Sequence, residues 1–386
     1  MSANNVAYLD HNATSPARQA VIDAVSDTMR SGAINPSSAH SLGREARRLI
    51  DDARDYVAGL AGSASDQVVF TGGGTEANNM VICGAGRSRV LISAVEHSAV
   101  LKTAISQAVV AELIPVSTDG LVDLEALDRM LREDNTPALV SIMAANNETG
   151  ALQPVEEAAK IARRHGALMH TDAVQMAGKL QLLFEGWDVD FLTLSAHKIG
   201  GPQGVGALIC RSRGMLRPLL LGGSQENGIR AGTENVPGIV GFGVAAHLAH
   251  QESQNGYEQL ERMRDGMEAS MKKNVEGATV FSKNVPRLPN TTCVTMPGVR
   301  SDTQVIAMDL AGVAVSAGSA CSAGKVEPSH VLEAMGVPTE QSTTAIRVSL
   351  GTGTLHPHID KFIEEWLALW RRHKTRCDYD KARPAA

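Results

Sequence analysis

The chain reads as an α/β protein built on a mostly parallel sheet, and three observations predict it. Between residues 66 and 210, short apolar runs alternate with amphipathic helical stretches, the pattern of a parallel sheet covered by helices on both faces. Glycine-rich and polar turns follow the apolar runs, at the strand ends where ligands gather in such sheets. Beyond about residue 252 a helix-rich stretch leads into differently spaced strands. That change predicts a second, smaller α+β domain.

Taken in order, strands are expected at 67–70, 90–92, 138–142, 167–169 and 190–194, each rich in β-branched or aliphatic residues and closed by turn formers. The stretch 155–165 has the 3.6-residue apolar repeat of a helix facing a core. The helix-rich stretch covers 252–275, followed by strands at 291–296, 313–315 and 345–349 and helices at 302–311 and 329–335. The segment through Asp10 is expected to join this second unit. The predicted division is a large domain over 16–255 and a small one formed by 1–15 and 256–386.

With 386 residues, 43% hydrophobic content and 36 glycines, the chain can bury a large core. Its net charge of −6 and lack of a long basic run argue against nucleic acid or an acidic membrane as the main partner. No apolar run approaches the ~20 residues of a membrane span, and Met1 to Asn5 carries no secretory pattern. A cytoplasmic location is the expectation. The five cysteines are dispersed without metal or disulfide spacing. Cys83, Cys210 and Cys293 have apolar neighbours and read as core, while His356-Pro357-His358 reads as a helix start rather than a metal site.

Chemistry concentrates after the strands. The strand at 190–194 runs into Ser195-Ala196-His197-Lys198 and then Gly200-Gly201-Pro202-Gln203-Gly204-Val205-Gly206. A strand end aims the amine, Ser195 and His197 can bind an anion, and the glycines admit a bulky ligand. A lysine forming a Schiff base with pyridoxal phosphate requires these features, although many lysines after strands are simply exposed. Gly72-Gly73-Gly74-Thr75-Glu76 opens a helix whose free N–H groups suit a phosphate; the same glycines would serve any tight turn. Asp172 ends up one strand-helix-strand step before Lys198, where a carboxylate can keep a pyridine nitrogen protonated or cap a helix. Gln175 could donate to the ring's phenolic oxygen. His97 could stack on the ring and handle protons, and Asn147 could touch ring or substrate.

Arg347 interrupts an apolar strand with a planar cation that can grip an α-carboxylate, or simply marks an exposed edge. Arg230 and Thr233 place a cation and a hydroxyl in a glycine-rich loop. Cys321 lies in Ser316-Ala317-Gly318-Ser319-Ala320-Cys321-Ser322-Ala323-Gly324, small and polar surroundings in which thiolate chemistry is possible.

These residues, with Tyr8 to Thr14, Asn35 to His40, Asn146-Asn147-Glu148 and Ile346 to Gly351, resemble the cysteine desulfurases of the NifS and IscS group. The match runs through most of the chain. The resemblance implies a fold-type I pyridoxal-phosphate transferase with a seven-stranded sheet in its large domain. It implies that Lys198 holds the cofactor, Asp172 its ring nitrogen, Gln175 its phenolic oxygen and His97 its ring face. Gly74, Thr75, Ser195 and His197 would bind the phosphate, with Thr233 reaching in from the other subunit of a homodimer. Asn12, Asn147 and Arg347 would meet L-cysteine, and Cys321 would accept its sulfur for an acceptor such as an iron–sulfur scaffold protein. Lys198, His97 and Cys321 are the implied catalytic groups. One departure stands out: residues 377–386 do not match the IscS tail that docks its scaffold. An aminotransferase of the same cofactor family would need Lys198 and Arg347 but not Cys321, and a cofactor-free sulfur carrier would be indifferent to Lys198.

Overall fold

The computed structural model describes residues 6–32, 35–106, 110–254, 258–318 and 328–382. In chain order the strands are β1 (Ala7–Tyr8), β2 (Val68–Thr71), β3 (Arg89–Ser93), β4 (Val110–Ile114), β5 (Ala138–Ser141), β6 (Leu168–Asp172), β7 (Phe191–Ser195), β8 (Gly206–Cys210), β9 (Thr291–Thr295), β10 (Val313–Ala314), β11 (Ser316–Ala317) and β12 (Ala345–Ser349). Seven of them form one sheet ordered β2-β8-β7-β6-β5-β3-β4. β3 to β7 run parallel, and β8 is antiparallel to both β7 and β2.

The central strands are buried on both faces, which is why they read as apolar runs. Successive side chains enter opposite cores: Val68, Phe70, Leu192 and Leu194 face one, Val69, Phe191 and Leu208 the other. Helices Ser41–Ala61 and Val236–Gln254 cover the first of these cores with Ile50, Val57, Ile239 and Phe242. The strand ends that carry Asp172 and Ser195 are thereby held by packing on both sides.

A third core gathers Leu9, Val294, Ile346, Val348, Phe362 and Trp366 around helix Glu258–Asn274. Here β1 pairs parallel with β10, while β11, β12 and β9 form an antiparallel sheet. The single expected strand at 313–315 is two short ones, because the chain passes from one sheet to the other at Val315. The bridge of Asp10 to Ser349 ties the N-terminal segment to this unit, as its sequence position suggested.

Several expectations need correction. Arg347 does not mark an edge, since β12 lies between β11 and β9. Cys210 and Cys293 are buried, but Cys83 is only half-buried, because its helix turns Met80, Val81 and Ile82 inward instead. The glycines after Lys198 partly serve the protein's own backbone. A Cβ on Gly206 would lie 2.7 Å from both the Gly73 carbonyl carbon and the Leu194 oxygen, so glycine is needed where β8 passes the Gly73–Gly74 turn. Among the described residues no helix is long and apolar enough to cross a membrane, and no cluster of metal-ligating side chains occurs.

Candidate active site

β6 and β7 are parallel neighbours with Asp172 opposite Thr193, so Asp172 and the residues that follow β7 share one rim of the sheet. Lys198 sits in the short 3-10 turn Ala196–Ile199 immediately after β7. Gly200, at φ +78, closes that turn, a conformation that favours glycine. The Lys198 amine donates to the carbonyls of Asn12 at 2.5 Å and Ala13 at 2.8 Å. Burial lowers its pKa to about 8, the Arg347 cation adds to the effect, and Asp172 and Asp10 oppose it. An amine so placed releases its proton far more readily than a surface lysine.

Asp172 is buried and its two oxygens are held separately. Oδ2 accepts from Asn78 Nδ2 at 2.7 Å and Oδ1 from the Val174 N–H at 3.0 Å. No helix follows Asp172 directly, so the helix cap expected as one alternative is not formed; its Oδ1 instead holds the turn at Ala173–Val174. His97 stands just before helix Ser98–Ser106, and its Nδ1 accepts from the Ala99 N–H at 3.1 Å. The proton of the neutral ring is thus on Nε2. Burial lowers the His97 pKa, Asp172 opposes, and Lys198 and His330 add to the lowering. Burial, then Lys198, lowers His197 to about 4, so this imidazole is a neutral partner for Thr14 Oγ1 at 3.1 Å.

Arg347 is 7% exposed. It donates from Nη2 to Asp10 Oδ1 at 2.8 Å and from Nη1 to the Asn147 carbonyl at 3.0 Å. Its Nε is buried without an acceptor, a costly state. Asn12 links this arginine to the lysine: its carbonyl faces Lys198, and its Nδ2 donates to Asn147 O at 3.3 Å and Thr291 Oγ1 at 2.9 Å.

A cavity of about 850 Å³ opens between Ala13–Thr14, Gly72–Glu76, Ser195, His197 and Gly204. The helix Gly74–Gly84 begins there, with unpaired N–H groups in its first turn. A Cβ on Gly74 would press to 3.0 Å from Val174 Cγ2, so glycine lets the helix start pack closely against the Val174 side chain. Glu76 does not oppose an anion with free charge, because Arg230 pairs with it at 2.8 Å and the Gly72 N–H binds its Oε2 at 2.8 Å. Lys198 lines a second cavity of about 240 Å³ with His11, Lys179 and Thr352.

The structure thus gathers Gly74, Thr75, Ser195 and His197 around one cavity and brings Asp172, His97 and Lys198 within electrostatic reach of each other. Gln175 is buried with its Nε2 on the Asn12 carbonyl at 2.9 Å. Thr233 stays on an exposed loop outside the cavity walls. Cys321 lies outside the described residues. Four polar groups escaped the sequence reading. Asn78 orients Asp172 from one helical turn beyond Gly74, Lys179 touches Gln175, and Glu96 and Glu148 are buried carboxyls. Burial pushes Glu96 well above its ordinary range, and the Asp172 charge adds to this. Burial raises Glu148 to about 7 against the pull of Ser329 Oγ, which donates to it at 2.5 Å, and of Arg347.

The donor set fits pyridoxal phosphate. An anion cradle at a helix start, a buried carboxylate with no bonded cation among the described residues, and an amine of lowered pKa follow β2, β6 and β7 respectively. Fold and site together define a fold-type I transferase. The class-V aminotransferase family matches residues 7–362. The chain is 42% identical over 356 residues to "Cysteine desulfurase IscS" of Dictyoglomus turgidum, covering 90% of each protein. It superposes on a solved NifS-like protein from Rickettsia africae with TM-score 0.88 at 38% identity, covering 95% of this chain and 99% of that one. A solved structure described as SspA in complex with cysteine matches with TM-score 0.77 at 31% identity, over 89% and 98% of the two chains. The chain belongs to the class-V aminotransferase family, and within it to the cysteine desulfurases of the NifS/IscS group.

Proposed function

We propose that this protein removes sulfur from L-cysteine, giving L-alanine and a persulfide on Cys321, with pyridoxal phosphate as cofactor. The observation that carries the reading is the pairing of Lys198 and Asp172 on adjacent strand ends, beside the glycine cradle at Gly73–Gly74. When bound, the cofactor would supply an electron sink for the substrate's α-carbon. Gly74, Thr75, Ser195 and His197 would hold its phosphate, Asp172 its ring nitrogen, Gln175 its ring oxygen and His97 its face.

The chain's own residues do the rest. Arg347 grips the substrate carboxylate and Asn147 and Asn12 flank it. Lys198, neutral above about pH 8, takes the α-proton onto Nζ. The thiolate of Cys321 then forms an S–S bond to the substrate sulfur as the Cβ–S bond breaks. The electron pair of that bond stays with Cβ, which takes up one proton, and Cα recovers the proton held on Lys198 Nζ, giving alanine. His97, uncharged with its proton on Nε2, is placed to pass protons at this stage.

We read the division into residues 16–255 and 1–15 with 256–386 as two domains, supported by their separate cores. A homodimer is part of the proposal, supported by Leu220 and Leu221 at 42% and 85% exposure beside the loop of Thr233. Cytoplasmic location and delivery of sulfur to an iron–sulfur scaffold or another acceptor complete the reading. Its test is alanine production from L-cysteine by protein reconstituted with pyridoxal phosphate. Activity is expected to rise as pH rises through about 8, and Lys198→Ala is expected to lower it ~10²–10⁴-fold. Undiminished alanine formation by Lys198→Ala would end the proposal.

A further inference from the structure

The proposed reaction makes no use of Lys179, although it is 8% exposed and lines the smaller cavity with Lys198. Its amine meets only oxygens of neutral groups: Gln175 O at 2.9 Å, Gln175 Oε1 at 3.1 Å and Asn12 Oδ1 at 3.2 Å. Burying an ammonium against such partners is costly. Burial, with the Lys198 and Arg347 cations adding to it, lowers its pKa to about 7.

What this group achieves is orientation. The two ends of an amide are nearly the same size, and the partner decides which end is which. As an ammonium Lys179 can only donate, and it faces one end of each of two amides, so in that state both of those ends are oxygen. For Gln175 this leaves Nε2 as the donor, with one N–H on the Asn12 carbonyl at 2.9 Å and a second for a ligand. For Asn12, Oδ1 receives Lys179 and also Asn290 Nδ2 at 3.2 Å. Its Nδ2 is then committed to Thr291 Oγ1 and to Asn147 O, the same carbonyl that takes Arg347 Nη1. One buried amine therefore sets the direction of a hydrogen-bond chain running from Gln175 to Arg347.

We propose that Lys179 is a positioning residue for the cofactor ring: by holding Oε1 of Gln175 and Oδ1 of Asn12, it turns the Gln175 NH2 toward the ring oxygen and keeps the Asn12 carbonyl opposite Lys198. The role rests on the reading that this site takes pyridoxal phosphate. A donor on the ring oxygen stabilises its ionised form, so losing the donor raises the pH at which the bound cofactor's visible band changes.

The test is a spectrophotometric pH titration of the protein loaded with pyridoxal 5′-phosphate. Lys179→Met is expected to move the midpoint upward by about one unit, as Gln175→Ala does, and the double variant is expected to move no further than Gln175→Ala alone. Lys179→Arg keeps the donors, has the adjoining cavity for its extra bulk, and is expected to titrate close to the unsubstituted protein. A midpoint unchanged in Lys179→Met, or shifts that add fully in the double variant, overturns the role. Should the methionine variant fail to fold, Lys179→Leu, which also lacks a donor, carries the same comparison. Absence of any visible band in the unsubstituted protein would instead remove the cofactor reading itself, and this role with it.

Discussion

Asn78 shows how much of the site depends on groups that never touch substrate. It supplies one of the two hydrogen bonds holding Asp172, and the Val174 N–H supplies the other. Asn78→Ala leaves a buried carboxylate oxygen without a donor, a loss of about 1–3 kcal/mol that falls on the position of Asp172. Cofactor affinity is expected to drop ~10-fold or more while the helix Gly74–Gly84 stays folded; titration of the apoprotein with pyridoxal phosphate measures this, and an unchanged affinity contradicts it. In the sequence, Lys198, Asp172 and Gln175 were legible because each chemical type follows a strand at a telling spacing. Asn78 and Lys179 were not. An asparagine in a helix and a lysine after a turn acquire their meaning only from the partners that tertiary packing brings to them. Glu96 and Glu148 were hidden for a related reason, since nothing local distinguishes a carboxyl that burial will hold protonated from one on the surface.

The turns after β2 and β7 position the site by close backbone contact. Gly206, at the start of β8, lies against both Gly73 and Leu194, and neither neighbour is a flexible side chain that could yield. Gly206→Ala is expected to cost about 1–3 kcal/mol and to weaken cofactor binding together with stability, because the displaced element is the turn proposed to cradle the phosphate. Thermal unfolding of the apo and loaded protein reads both effects; a stability loss with cofactor affinity intact would show that the turn is not the cradle. The parallel strands were predictable because burial on both faces gives continuous apolar runs. β8 escaped because Gly206-Ala207-Leu208-Ile209-Cys210 follows a glycine run that looks like a loop. β4 escaped because, at the sheet's edge, Val110 and Leu113 are exposed and Glu112 pairs with Arg89, which breaks the apolar signal.

For the whole molecule, two buried lysines make the apoprotein's stability depend on alkaline pH. Both Lys179 and Lys198 have folded pKa values depressed from 10.5, to about 7 and about 8. Between those values and 10.5 the unfolded chain binds more protons than the folded one, so each group's contribution grows as pH rises across that window. Lys179→Met lacks this dependence at one site. Its stability relative to the unsubstituted apoprotein is therefore expected to be greatest at pH 7 and below, and to shrink toward pH 10. Denaturant unfolding at several pH values measures the difference; a difference that grows with pH contradicts it. The changed pattern after residue 252 coincides with the start of the segment whose apolar side chains, with Leu9, form the core around Glu258–Asn274. The passage from β10 to β11 at Val315 was not legible in the sequence, because two-residue strands leave too little sequence to show a period.

The central claim is that Cys321 receives sulfur from L-cysteine, and one measurement addresses it most directly. The loaded protein is treated with sulfur-labelled L-cysteine in the absence of reductant, and the label is located by peptide mass analysis while alanine is counted. One labelled sulfur on Cys321 for each alanine released is the predicted result, with both lost in Cys321→Ala although that variant still binds the cofactor. Labelled sulfur on another cysteine, or undiminished sulfide and alanine release by Cys321→Ala, would contradict the account.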